Sequence, residues 1–265
     1  MAIDYVIDYA CYPKQEVTTE GILLRLKNRD RAESVVRLFR ESGDNRPADE
    51  IGFELARSTP EGTEEIQVVM VKDLLAAAEQ LRPFEIYCQG CPVNNTGNPF
   101  GCMSQIHYPI SGKAEIWLLN QLPQTIEPLP WLLLKESLAE FKSDGSLVNQ
   151  MRAPGQPYFQ EAGVLVRGLG ELKVNTNQVF EILFLLGHIR PSYAAMLLIF
   201  FGAIRRDMNA DEMMQLSKSP DDVFDNYPFL LKPEQDDDDS ITQFKQFFRA
   251  LYLAWGLGAR LLLDV

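Results

Sequence analysis

The stretch "YAAMLLIFFGAI", Tyr193 to Ile204, most constrains what this chain can fold into. It carries no charged side chain, so no face of it favours water. It is too short to span a bilayer, which takes about 20 apolar residues. Arg190, Pro191, Arg205 and Arg206 flank it. It reads as a helix buried on all sides, and such a helix needs an equally apolar partner. One stands near the C-terminus, in "FFRALYLAWGLGARLLL". The two are expected to pack against each other. Any apolar patch they leave exposed would call for a homodimer.

At 265 residues the chain is long enough to bury a core without disulfides. Its 46% hydrophobic and 23% charged content is that of an ordinary globular protein. The formal net charge of -12 disfavours nucleic-acid backbones and anionic lipid surfaces, so neither partner is expected. The opening "MAIDYVIDYA" places acids where a secretory signal would have a basic start. The expected location is therefore the cytoplasm. There, the four cysteines read as metal ligands or buried thiols rather than disulfides.

Cys88, Cys91 and Cys102 fall within "YCQGCPVNNTGNPFGC". A C-x-x-C turn aims two thiolates at one ion, and Gly90 and Gly101 relieve crowding beside the sulfurs. Cys11 completes a tetrahedral four-cysteine set, for which zinc is the usual occupant. An iron–sulfur cluster on Cys11, Cys88, Cys91 and Cys102 is the alternative, and Pro92 after Cys91 resembles the Cys-Pro step of bacterial ferredoxins. A thiol redox pair of Cys88 and Cys91 is a third reading. His107 stands ready to replace Cys11 if that residue is held in the core.

Periodicity gives an α+β fold. Ile3, Tyr5 and Ile7 alternate with acids in a strand. Thr18 or Thr19 caps a long helix, strands follow in "EIGFELARS" and "IQVVMV" around a "TPEGTE" turn, then a short helix, and "FEIY" reads as another strand. That order predicts an N-terminal mixed β-sheet module of the ferredoxin-like kind with a cysteine-bearing loop. A mainly helical C-terminal region follows, with a β-hairpin at Gly168 and Gly170. Thr176 is expected to cap one of its helices, and Ser240 with Gln243 to form a capping box for the last. The expected boundary falls at residues 153–163, dividing the chain into 1–155 and 156–265.

"KPEQDDDD" reads as an exposed acidic loop, without the spacing of a calcium loop. "VRGLGEL" lacks the Lys-Ser/Thr of a phosphate loop. Of the chain's two histidines, His107 reads as a half-buried polar side chain beside the metal ligands and His188 as a helix C-terminal residue. Together these features predict a cytosolic binding or adaptor protein, stabilised by zinc, for an unspecified protein or small molecule. The competing reading is an iron–sulfur redox protein or enzyme.

Overall fold

In a computed structural model, the structure describes residues 2–58, 64–216 and 222–264. The chain forms two compact units. One comprises Met1–Tyr9 and Pro92–Val265. The other, Ala10–Cys91, is inserted between them in sequence.

The inserted unit begins with α1 (Tyr12–Val17) and α2 (Thr19–Glu41). Thr18 caps α2, its hydroxyl accepting from the Gly21 N–H at 3.1 Å, as the sequence leads one to expect. Strands β2 (Gly52–Ser58) and β3 (Glu64–Met70) pair antiparallel, and α3 (Val71–Glu79) follows. The "TPEGTE" turn lies almost wholly outside the described residues. Ala32, Ile51, Val71 and Leu74 form this unit's core, with Val35, Phe39, Phe53 and Val69 against it.

The larger unit is built on a sheet of order β4-β1-β8-β7: β4 (Met103–His107), β1 (Ala2–Asp8), β8 (Arg260–Leu263) and β7 (His188–Ile189). Every pairing is antiparallel. The fold is therefore α+β, with a different sheet from the ferredoxin-like one expected. Strands β2 and β3 form their own two-stranded sheet, and "FEIY" lies in a 3-10 helix, Arg82–Cys88. Three strands of this sheet, β4, β7 and β8, are absent from the expected set. "ARLLL" continues an apolar helix on paper, but Gly258 at φ +63° breaks the helix and turns the chain back beside β1.

Helices α4 (Gly112–Gln121), α5 (Pro128–Glu140), α6 (Ser146–Asn149), α7 (Thr176–Phe184), α8 (Pro191–Phe200), α9 (Ala210–Leu216), α10 (Val223–Asn226) and α11 (Asp239–Gly256) complete the unit. The hairpin of β5 (Val166–Leu169) and β6 (Leu172–Asn175) stands where the sequence places it. Its turn uses Gly170 at φ +70°. The all-apolar stretch forms α8, and α8 packs on α11 as its composition demands. Phe201 and Phe248 meet at 4.8 Å between ring centroids, and Phe247 meets Tyr5 of β1 at 5.3 Å. Phe244, Phe247, Phe248 and Trp255 are fully buried. Each such side chain contributes roughly 1.5–3 kcal/mol by leaving water. These two stretches thus find their cover within the unit. Among the described residues no helix is long and apolar enough to cross a membrane.

Residues 153–163 do not separate domains. Ile110 bridges Phe159 in parallel, and Arg152 reaches across the chain to α4 and α7. Its guanidinium pairs with Glu115, and both side chains are almost completely buried. It also donates to Asn177 Oδ1 at 2.6 Å, Thr176 Oγ1 at 3.2 Å, and the carbonyls of Glu161 and Gly163 at 2.9 and 3.3 Å. Phe159 stacks 3.8 Å from it. This one cation ties the irregular 153–163 segment to two helices. Breaking a buried ion pair from one side costs about 3–5 kcal/mol, because the surviving charge stays buried. We therefore expect Arg152→Met to lose stability on that scale in urea unfolding. Arg152→Met combined with Glu115→Leu should regain part of it, the carbonyls and Asn177 still lacking their donor. A double variant no more stable than the single would contradict this account.

Candidate functional site

The loop leading into β4 is a compact turn. The Gly97 N–H donates to Asn94 Oδ1 at 2.9 Å, the Asn95 N–H to the Gly101 carbonyl at 2.9 Å, and the Gly101 N–H to the Asn98 carbonyl at 3.0 Å. Gly101 is required here. A Cβ on it would lie 2.1 Å from Asn94 Oδ1 and 2.4 Å from Thr96 Oγ1. The sequence assigns this glycine to making room for sulfur, but the groups it makes room for are the Asn94 and Thr96 side chains.

The turn presents Asn95 inward, 6% exposed, with its Nδ2 donating to the Gln246 carbonyl of α11 at 2.9 Å. Its Oδ1 is fully buried, out of reach of solvent, and has no hydrogen-bond partner among the described residues. A buried acceptor without a donor costs about 1–3 kcal/mol, a cost this turn carries. Asn95 lines a cavity of about 350 Å³ in the larger unit. Phe229, Leu231 and Pro233 give it an apolar side. Thr96, Thr242, Gln246, Lys232 and Arg249 give it polar groups.

Lys245 fixes the wall. It is 6% exposed, and its ammonium donates to the Lys232 carbonyl at 2.9 Å and to both Asp237 carboxylate oxygens at 2.8 and 2.7 Å. The loop read as a solvated acidic run is thereby pinned to α11. Burial alone would raise the Asp237 carboxyl. The bonds from Lys245 and from the Glu234 N–H outweigh that and hold it below its ordinary value. Glu234, Asp236 and Asp237 also bring carboxylate oxygens within 4.8 Å of one another. The cation beside them is Lys245 itself, 3.9 Å from Glu234. Around the cavity, Lys232 and Arg249 are different: among the described residues their charged heads have neither an ion pair nor a hydrogen bond.

A second, polar cavity of about 340 Å³ opens between the start of α4 and the start of α11, lined by His107, Ser111, Asp238 and Gln243. Its groups are committed to capping. The Ser111 hydroxyl donates to Asp238 Oδ2 at 2.6 Å and accepts from the Ala114 N–H at 3.0 Å. Asp238 accepts from the Ile241 N–H at 2.9 Å, so it, and not Ser240, caps α11. Gln243 accepts from the His107 N–H at 2.7 Å and donates to its Nδ1 at 2.9 Å. His107 is thus an exposed strand-end residue held by Gln243. In the same way Asn175, with Gln178, caps α7 in place of Thr176.

The four cysteines are free thiols of intermediate exposure. Three lie in the inserted unit. Cys11 precedes α1, Cys88 ends the 3-10 helix, and the Cys91 N–H lies 3.4 Å from the Cys88 carbonyl in the expected turn. Tyr12 and Tyr87, neighbours of Cys11 and Cys88 in sequence, stack at 4.8 Å, and Tyr12 also meets Phe84 at 6.2 Å. This brings the Cys11 and Cys88 segments together, which the expected sheet would not have done. Cys102 belongs to the larger unit, and its carbonyl accepts from the Ile7 N–H at 2.9 Å. Among the described residues, the acidic trio is the only set of three or more His, Cys, Asp or Glu ligand atoms so closely gathered. Comparisons with protein-family models, characterised proteins and solved structures find no match to this chain.

The pairing of Lys245 with Asp237 carries a pH dependence. Asp237 has a folded value below the unfolded one of about 3.9. Its contribution to stability is therefore fully present above that pH and is lost as pH falls through the folded value. We expect Asp237→Asn to melt earlier than wild type at neutral pH, with the gap closing on acidification below about pH 4. A gap that stays constant down to pH 2, or about there, would remove Asp237 as the source.

Proposed function

We propose that the protein is a binding protein and that the cavity beside α11 is where its larger unit takes a small organic ligand. The mixed lining carries this reading, with the apolar Phe229, Leu231 and Pro233 beside the polar Thr96, Thr242, Gln246, Lys232 and Arg249. The volume falls within the range of small-molecule sites, and the apolar side faces a few convergent polar groups. The wall is rigid because Lys245 is bonded at every reach of its ammonium.

The test uses N-acetyl-L-phenylalanine as a probe, since it has an aromatic body, an N–H donor and a carboxylate. Calorimetry should give saturable binding with one site per chain. Thr242→Trp fills an exposed lining position and should abolish binding at an unchanged melting temperature. Undiminished binding in Thr242→Trp would place the probe elsewhere and sink the reading.

A second reading, a metal held by cysteines, is favoured by the contact of Tyr12 with Tyr87. We propose zinc on Cys11, Cys88 and Cys91 of the inserted unit, with an iron–sulfur cluster as the rival. The thiolates would supply the donor set that closed structural sites use. Against it stands the lack of a gathered cysteine set among the described residues. Elemental analysis of anaerobically purified protein decides. Stoichiometric zinc that falls away in Cys88→Ser and Cys91→Ser supports the site, a visible chromophore supports the cluster, and metal-free protein ends both.

A further inference from the structure

From the charge balance of the cavity wall we infer that the ligand is an amphipathic carboxylate, held at its head by Arg249 and Lys232 with its apolar body against Phe229, Leu231 and Pro233. This rests on the binding reading above and adds the chemical class.

The first support is electrostatic. The chain carries -12 overall, so a solvent-facing site with unpaired cations runs against its average surface. The acids near the cavity have other commitments. Asp237 is bonded to Lys245, Glu234 lies 3.9 Å from the same ammonium, and Asp236 pairs with Lys113. What remains at the cavity is Lys232 and Arg249, each without a partner among the described residues. Both heads are solvated at the mouth, so they attract an anion without a large desolvation cost.

The second support is shape and donor chemistry. A guanidinium presents parallel N–H donors that match the two oxygens of a carboxylate, and such charge-assisted pairs are about twice as strong as neutral ones. Phe229, Leu231 and Pro233 then face the body of the ligand, which an inorganic anion does not have.

The experiment compares two probes on the full chain: N-acetyl-L-phenylalanine and its methyl ester, which lacks the charge. That loss should weaken binding about tenfold or more, the scale of one charge-assisted hydrogen bond. Arg249→Gln, at an exposed helix position, should weaken the acid by a similar factor and leave the ester unchanged. If the ester binds as tightly as the acid, and both are lost in Thr242→Trp, the carboxylate assignment falls while the cavity remains a binding site. If neither probe binds at millimolar concentration, the binding reading itself fails. Sodium phosphate competing as well as the acid would mean that the cations select any anion, and would overturn the amphipathic requirement.

Discussion

The larger unit depends on α11 being buried along most of its circumference. Its aromatic residues meet β1 through Tyr5, α8 and its C-terminal extension through Phe201, and α7 through Phe184 at 5.3 Å. Its Lys245, otherwise an expensive residue to bury, is neutralised by Asp237 and passes 5.8 Å over the Trp117 ring. A helix so enclosed fixes the elements around it, because interiors packed near crystal density leave little room for sliding. The cavity lies where α11 faces the loop of residues 229–237.

Buried charges are used in this unit as fasteners for irregular chain. Arg152 gathers the 153–163 segment, and Lys245 gathers residues 232–237. Arg206 does the same at helix ends, donating to the carbonyls of Gln121, Ile199 and Phe200 while pairing with Glu127. Burial lowers its affinity for the proton, and Glu127 works in the opposite direction. In each case one long cationic side chain satisfies several carbonyls that no regular hydrogen-bond ladder reaches. Hydrophobic burial alone would compact these loops without choosing their path.

How much was legible follows from the range of each interaction. The fully apolar α8, the Thr18 cap, and the hairpin at Gly170 are local signals, and all are found. The ferredoxin-like sheet failed because pairing partners are chosen across the whole chain. Periodicity marks Ile3 to Ile7 as a strand, but nothing local says that Leu261 to Leu263 lies beside it. Caps shifted by one or two residues where several candidates stood together, as with Asp238 beside Ser240. The cysteine-bearing loop drew attention to its sulfurs. The residue it delivers to the cavity wall is Asn95, whose amide bonds the Gln246 carbonyl of α11. That contact joins positions 151 residues apart, which no spacing rule reports.

The adjacency of β1 and β8 has a consequence for biosynthesis. Tyr5, Val6 and Ile7 are fully buried in the finished fold, yet 252 residues separate Asp8 of β1 from its partner Arg260 of β8. At about 5–20 residues per second, β1 waits on the order of ten seconds or more for β8 to emerge from the ribosome. During that interval the inserted Ala10–Cys91 segment is synthesised whole, with an apolar core of its own. The apolar residues of β1 must therefore be kept from aggregation until β8 has been made.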